Sequence, residues 1–184
     1  MNDKSVLRVD ARQNRERIVA AAEQAFLERG AGVPLEDVAK RAGVGIGTLY
    51  RRFPTREALL AETSNARFLA LAESSRARDE ALDPERAIRA FLEELVLNTS
   101  LYQSLATSLG TVLQCGTPGC NAITEEAKRL LARGQDAAAI RQDITFEDVI
   151  CVVTAISLAV EQDASSKTRV AHLVDLLFGG IASR

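Results

Sequence analysis

The sequence of 184 residues predicts an all-α fold of about nine helices, in which a small N-terminal unit of three helices precedes a larger helical part. The residues "NRERIVAAAEQAFLER" at 14–29 place apolar side chains three and four positions apart, which is the spacing of one helical face. The same spacing recurs along the chain, and no stretch of four or more residues alternates convincingly as a strand would. With 47% apolar residues and only four prolines, the chain can bury a core and has few residues that interrupt helices.

Glycine and proline divide the N-terminal unit. The first helix is predicted to end at Gly30, and Pro34 to occupy the first position of a second helix, "LEDVAKRA". The glycines of "GVG" at 43–45 tolerate left-handed backbone and mark a turn. A third helix then runs from about Ile46 to Phe53, because it must end before Pro54.

Capping residues divide the rest of the chain. Thr55 can cap a long fourth helix, and Asp83 followed by proline can open a fifth that breaks near 98–100. After a predicted loop, "CGTPG", the residues "NAITEEAKRLLARG" form a helix that ends at Gly134. The "TFED" sequence at 145–148 resembles a capping box and opens a helix containing the apolar run "VICVVTAISLAV".

Charge is distributed unevenly, although the net charge is only −2. Residues 1–60 carry 11 basic and 8 acidic side chains, whereas residues 61–184 carry 12 and 17. The stretch "VAKRAGVGIGTLYRRFPTR" at 38–56 contains five basic residues and no carboxylate. This local asymmetry indicates an anionic partner for the N-terminal unit.

Two short helices joined by a tight glycine turn, the second of them basic, are typical of a helix-turn-helix. In the third helix, Leu49 and Phe53 share the inward face, and the remaining polar and basic positions are left for a partner. A DNA backbone beside the major groove fits this distribution. The residues alone leave a second interpretation open, in which Arg51 and Arg52 form an ordinary solvated face.

The run "AGVGIGTLYRRFPTREALL" resembles the TetR family of transcriptional regulators over about residues 14–62. The resemblance implies a TetR-type DNA-binding domain at 12–60, with its helix-turn-helix at about 33–53. It also implies a helical ligand-binding and dimerisation domain at 61–184. The implied function is a ligand-responsive repressor that binds a palindromic operator in double-stranded DNA as a homodimer and is released by an unknown small-molecule effector.

The resemblance also implies the DNA contacts. Thr48, Tyr50 and Arg52 would contact phosphates or sugars, and Ile46, Gly47 and Arg51 would face the bases. Arg56 would act as a phosphate clamp in place of the family's usual lysine. The sequence departs from the family at Gly45, where a polar cap is common, at Pro34, which replaces a capping threonine, and at Arg52, which replaces a common histidine.

For the second domain, the resemblance implies an effector pocket among helices four to eight. Asn98 and Tyr102, spaced four residues apart among apolar neighbours, are the pair expected to orient a polar ligand group. Each residue of the expected lining is also compatible with a plain core position. The expected lining residues are Phe68, Phe91, Leu95, Asn98, Leu101, Tyr102, Leu105 and Leu113.

The last two helices, predicted at about 146–162 and 166–182, are expected to form the homodimer interface. The first of them is apolar almost all round, and a surface helix of a small monomer would be less so. The alternative is that both helices close the core of a single chain. The expected interface residues are Val153, Ile156, Val160, Val170, Leu173, Val174, Leu177 and Phe178.

Other functions are poorly supported by the sequence. A hydrolase would need a nucleophile, a base and an orienting group, yet the one histidine, His172, lies in an interface-like helix and no Gly-x-Ser-x-Gly turn is present. We therefore expect no enzyme activity, no cofactor and no metal site, and we interpret Cys115 and Cys120 as loop thiols. The N-terminus has no apolar stretch of the secretory type, so a cytoplasmic protein that does not bind membranes is expected. A DNA-binding protein without an effector, constitutive or architectural, is the alternative function.

Overall fold

The computed structural model describes residues 3–78, 81–161 and 167–181, with side chains described between residues 11 and 179 of those ranges. Within them the chain forms nine α-helices and no β-strand, which confirms the all-α prediction. The predicted limits 162, 166 and 182 of the last two helices lie outside the described residues. The helices are α1 (Asp3–Arg29), α2 (Leu35–Ala42), α3 (Ile46–Arg52), α4 (Arg56–Arg78), α5 (Pro84–Thr99), α6 (Leu109–Leu113), α7 (Pro118–Asp136), α8 (Phe146–Glu161) and α9 (Lys167–Ile181), and a short 3-10 helix, Ala106–Ser108, precedes α6.

Helices α1 to α3 and the first turn of α4 form an N-terminal unit, called the head below. Ile18, Phe26, Val38 and Leu49 are completely buried in its core. Helix α1 begins at Asp3, well before the predicted Asn14. Pro34 lies at the N-cap of α2 and not at its first helical position.

The predicted caps of the later helices are present. Thr55 Oγ1 accepts a hydrogen bond of 3.1 Å from the Ala58 amide, and Asp83 Oδ1 accepts one of 2.9 Å from the Arg86 amide. Thr145 and Asp148 make the two reciprocal bonds of a capping box, at 3.2 and 2.9 Å. The expected "CGTPG" loop is shorter than predicted, because Thr117 caps α7 and Pro118 is its first residue.

Helix α4 leaves the head and packs most extensively against α7. The two backbones come close at Gly119, whose amide donates to Asn65 Oδ1 at 2.7 Å. A β-carbon at Gly119 would lie 2.4 Å from the carbonyl oxygen of Asn65. The first turn of α7 therefore rests directly on the backbone of the helix that carries the head.

A buried carboxylate joins the same two helices further along. Glu126 of α7 is completely buried and accepts hydrogen bonds from Ser75 Oγ at 2.6 Å, Arg129 Nη2 at 2.8 Å and Arg76 Nε at 3.1 Å. Burial alone would raise the pKa of Glu126, but the bonds from Arg129, Ser75 and Arg76 outweigh it and lower this pKa. The ionised carboxylate is therefore the form that stabilises the α4–α7 contact.

Replacing Glu126 with glutamine is expected to lower the free energy of unfolding at pH 7 by about 2 kcal/mol, because hydrogen bonds to a charged group are lost. A lowered pKa gives a contribution that is present above the unfolded pKa and disappears as the pH falls through the folded value. The stabilities of the wild type and Glu126→Gln in urea unfolding should therefore begin to converge as the pH falls below about 4 and become similar only below the folded pKa. Glu125→Gln is the control, because the Glu125 side chain is 73% exposed and lies 3.8 Å from Arg76; equal losses in both variants would contradict the interpretation.

Candidate DNA-binding site

Helix α3 presents one face to solvent and buries the other, as the sequence predicts. Leu49 is completely buried and Phe53, just after the helix, is 3% exposed. Thr48 is half-buried, and its Oγ1 accepts a hydrogen bond from Arg51 Nη2 at 3.2 Å. The exposed residues among those predicted to contact DNA are Ile46, Gly47, Tyr50, Arg51 and Arg52.

The turn before α3 depends on one glycine. Gly43 caps α2 in the left-handed conformation, with φ of 66°, and its amide donates back to the last turn of α2. Gly45 is extended, with φ of −70°, so the prediction that the turn uses left-handed backbone is confirmed only for Gly43. Gly45 is the N-cap of α3, and because glycine has no side chain it cannot accept a capping hydrogen bond. The first amides of the helix are therefore left for solvent or a ligand.

The basic residues of the head are not all free to meet DNA. Arg41 pairs with Glu28 at 2.6 Å, and this hydrogen bond lowers the pKa of the Glu28 carboxyl. Of the five basic residues at 38–56, Lys40, Arg51 and Arg52 are both exposed and without an ion pair among the described residues. These three side chains therefore carry the positive charge of the surface around α3.

Arg56 makes hydrogen bonds within the head. Its Nη1 donates to the carbonyl oxygens of Ala31 at 2.7 Å and Val33 at 2.6 Å, and the side chain is half-buried. Those carbonyls lie in the loop between α1 and α2. Arg56 therefore supports this loop, and its contact with a phosphate stays a prediction.

Tyr102, expected in an effector pocket, is completely buried where the head meets the second domain. Its ring lies 5.6 Å from that of Phe26 in α1, and its hydroxyl accepts a hydrogen bond of 2.7 Å from Arg67 Nη1 of α4. The next residue, Gln103, accepts a bond of 2.7 Å from the amide of Ala31. The segment after α5 is therefore attached to both α1 and α4.

The same segment is also held by the end of α8. Ser104 has a left-handed backbone, with φ of 68°, and its amide donates to both carboxylate oxygens of Glu161 at 3.0 and 3.1 Å. Sequence reasoning singled out Tyr102 as a polar group among apolar neighbours but assigned it to a pocket. No local pattern indicates that the partners of this segment are Phe26, Ala31 and Glu161.

The eight residues expected to line a pocket do not come together around one cavity. Phe68, Phe91, Leu95 and Leu105 are completely buried in the common core, so the core alternative applies to them. Leu101 is 45% exposed. Asn98 donates to the carbonyl of Glu94 at 3.0 Å and borders a shallow cavity beside Arg67.

The eighth residue, Leu113, lines a larger cleft of about 510 Å³ between α6, α7 and α8. One wall is apolar, and polar side chains of α7 and α8, together with Gln114 at the end of α6, complete the cleft. Sequence reasoning missed this cleft because its residues come from three helices with no shared motif. Its other lining residues are Gly110, Gln114, Asn121, Thr124, Lys128, Phe146, Glu147, Ile150 and Cys151.

Most of the expected dimer residues are buried within one protomer, because α5 packs against the inner faces of both α8 and α9. Six of the eight belong to the core, and Leu173 and Leu177 are half-buried against it. The outward side of α8 and α9 instead carries Leu176, which is 62% exposed, together with Cys151, Ala155 and Ala159. The six core residues are Val153, Ile156, Val160, Val170, Val174 and Phe178.

Cys115 is exposed and Cys120 is buried, both thiols are free, and burial raises the pKa of each. In the described part of the chain, no cluster of three or more histidine, cysteine or acidic side chains is arranged to hold a metal ion. None of the described helices combines the length and apolarity needed to cross a membrane.

Two known domain families match this sequence, one over the head and one over the helices that follow it. Residues 18–63 match the family described as bacterial regulatory proteins of the tetR family, and residues 83–183 match the SbtR-like transcriptional regulator C-terminal domain. The chain belongs to the TetR family of transcriptional regulators. The protein is thus a DNA-binding transcription regulator with an N-terminal helix-turn-helix.

Individual known proteins also resemble this chain. Over 54 residues the chain is 41% identical to an HTH-type transcriptional regulator of Staphylococcus aureus, a match that spans 29% of each protein. The TetR regulator SCO0520 of Streptomyces coelicolor is 30% identical over 91% of this chain and 98% of its own, with a TM-score of 0.55. RolR, solved with resorcinol, shares the fold at 19% identity and a TM-score of 0.67, over 94% of this chain and 89% of its own. FadR of Thermus thermophilus, solved with lauroyl-CoA, also shares the fold. It is 22% identical with a TM-score of 0.62, over 92% of this chain and 96% of its own.

Proposed function

We propose that this TetR-family protein is a ligand-responsive repressor, which binds a palindromic operator as a homodimer and leaves it when a small-molecule effector binds the second domain. The observation that carries the DNA-binding part is the outward face of α3, which exposes Tyr50, Arg51 and Arg52, the two arginines in the last turn of the helix. Leu49 and Phe53 fix that face by anchoring the opposite side in the core. Such a helix inserts into the major groove with its side chains toward the bases.

The response to an effector is supported by the attachment of the head to the second domain. Helix α4 runs from the head into the second domain, and the segment at Tyr102 to Ser104 provides a second attachment through Phe26 and Ala31. A change in the second domain can therefore alter the position of α3. The small organic ligands in the RolR and FadR structures support an effector of this kind, and a protein without an effector would leave the second attachment unexplained.

A homodimer is proposed because one helix-turn-helix makes too few contacts for specific binding, whereas two related by a twofold axis read two half-sites. The outward residues of α8 and α9 offer a surface on which two chains can pack around this twofold axis. Leu176 is the large exposed apolar residue there, and Ala155 and Ala159 are small enough for close approach of a second helix. We propose that the protein acts in the cytoplasm, where bacterial DNA lies.

Operator selection from random DNA, followed by binding titrations with purified variants, tests the DNA-binding proposal. Arg51→Ala is expected to relax the preference at one operator position by about 1–3 kcal/mol, because the proposed orientation of α3 directs Arg51 toward the base edges. Arg52→Ala should weaken binding to all sequences alike and reduce the number of counterions released on binding by about one, because we propose that Arg52 contacts a phosphate.

Arg86→Ala is the control, because the Arg86 side chain is 76% exposed and lies in α5 of the second domain. It should leave both affinity and preference unchanged. Unaltered base preferences in Arg51→Ala would show that the orientation proposed for α3 is wrong.

A further inference from the structure

The cleft between α6, α7 and α8 has the size and lining of a small-molecule site. Its volume of about 510 Å³ lies within the range of ligand pockets in proteins, about 300–1,000 Å³. Leu113, Phe146 and Ile150 provide apolar surface on it, and Asn121 and Thr124 provide hydrogen-bonding groups. A ligand with an apolar body and a polar group matches this division.

The charged side chains of the cleft indicate which polar group the ligand carries. Lys128 of α7 is exposed, and its ammonium lies 5.2 Å from the centre of the Phe146 ring. Among the described residues this ammonium has no carboxylate partner. Glu147, the carboxylate of the cleft, lies in the first turn of α8, where the helix dipole already stabilises its charge.

We propose that the cleft binds an amphipathic organic anion, whose acidic group pairs with Lys128 and whose apolar body lies against Leu113, Phe146 and Ile150. Its role as the effector rests on the function proposed above, but binding itself does not. An aromatic or aliphatic body covers the apolar wall, and the acidic group completes the ion pair that the protein lacks. A neutral compound with the same body makes only the first of these contacts.

Occupation of this cleft would reach the head through α4. Helix α6 contributes Gly110 and Leu113 to the cleft and packs against α4, and α7 contributes Lys128. The first turn of α7 is fixed on α4 by the bond from Gly119 to Asn65. A ligand that separates α7 from α8 therefore displaces the helix on which the head is carried.

Two dyes with one skeleton test the proposal. The anion 1-anilinonaphthalene-8-sulfonate and the neutral N-phenyl-1-naphthylamine differ by the sulfonate, and both report binding by fluorescence. The full-length protein should bind the anion saturably, with one site per chain. Lys128→Met should weaken the anion about threefold to fivefold, as expected for an exposed ion pair, and change the neutral dye less than about twofold. Lys128→Arg, which keeps the charge, should restore binding of the anion.

Two further variants locate the dye. Gly110→Leu places a side chain in the cleft where a β-carbon meets no atom within 4 Å, so it should weaken both dyes without disturbing the fold. Lys167→Met removes another exposed lysine, in α9, and should weaken neither. Circular dichroism checks that each variant keeps its helices. Equal binding of the anion to wild type and Lys128→Met, or unchanged binding to Gly110→Leu, would overturn the proposal.

An operator titration with and without saturating anion separates this proposal from the proposed function. Release of the selected operator in wild type, reduced in Lys128→Met, supports both. Lys128-dependent binding of the anion without any change in operator affinity supports the site but contradicts its role as the effector site. Failure of the anion to bind overturns the site while operator selection by α3 remains testable.

Discussion

Replacing Gly119 with alanine is expected to lower the free energy of unfolding by about 3 kcal/mol, at the upper end for overpacking. The added β-carbon would lie 2.4 Å from the carbonyl oxygen of Asn65 and 3.0 Å from its carbonyl and α-carbons. All three are backbone atoms of α4, so no side-chain rotation relieves the contact and one helix must move away from the other. Urea unfolding monitored by circular dichroism measures the loss.

Gly110→Ala is the matched control, since this glycine lies in the neighbouring helix α6 and a β-carbon there meets no atom within 4 Å. That variant should be more stable than wild type by about 0.5–1 kcal/mol, because alanine favours the helix. Similar stability in Gly119→Ala and Gly110→Ala would show that α4 and α7 are not in such close contact.

Replacing Leu176 with glutamate is expected to convert the proposed homodimer into monomers and to reduce operator affinity by at least about 100-fold at physiological salt, because the second half-site no longer contributes. Leu176 is 62% exposed in a single protomer, so the substitution should leave each chain folded. Sedimentation gives the oligomeric state, and anisotropy with the selected operator gives the affinity.

Leu101→Glu makes the same substitution at a leucine that is 45% exposed and lies outside α8 and α9. It should remain dimeric with unchanged affinity. A Leu176→Glu protein that is still dimeric would place the interface on another surface, and a monomeric wild type at micromolar concentration would refute the homodimer.

The N-terminal unit could be predicted in detail because its rules are local. The turn glycine, the buried Leu49 and the cap at Thr55 each depend on residues within a few positions, and the structure confirms them. The role of Arg56 could not be predicted, since its partners Ala31 and Val33 are carbonyls more than twenty positions away. Charge alone suggests a phosphate contact, and it gives no sign of these two hydrogen bonds.

The second domain shows where periodicity stops being informative. Helix α8 is apolar on nearly all sides, so the sequence indicates that it is covered but not which side faces the core of its own chain. The structure buries Val153 and Ser157 inside the protomer and exposes Ala155 and Ala159. In the same way, the apolar positions of α4 and α5 predicted burial correctly but could not distinguish a packed core from the wall of a cavity.

The attachment of Tyr102 to Ser104 matters for anyone who builds chimaeric regulators by exchanging heads between proteins of this family. A fusion made only within α4 would preserve the covalent connection but would set a foreign α1 and α1–α2 loop against this segment. The ring of Phe26 and the amide of Ala31 belong to the head, whereas their partners Tyr102 and Gln103 belong to the recipient. A transplanted head that retains its regulation will therefore need a second, non-covalent junction designed together with the first.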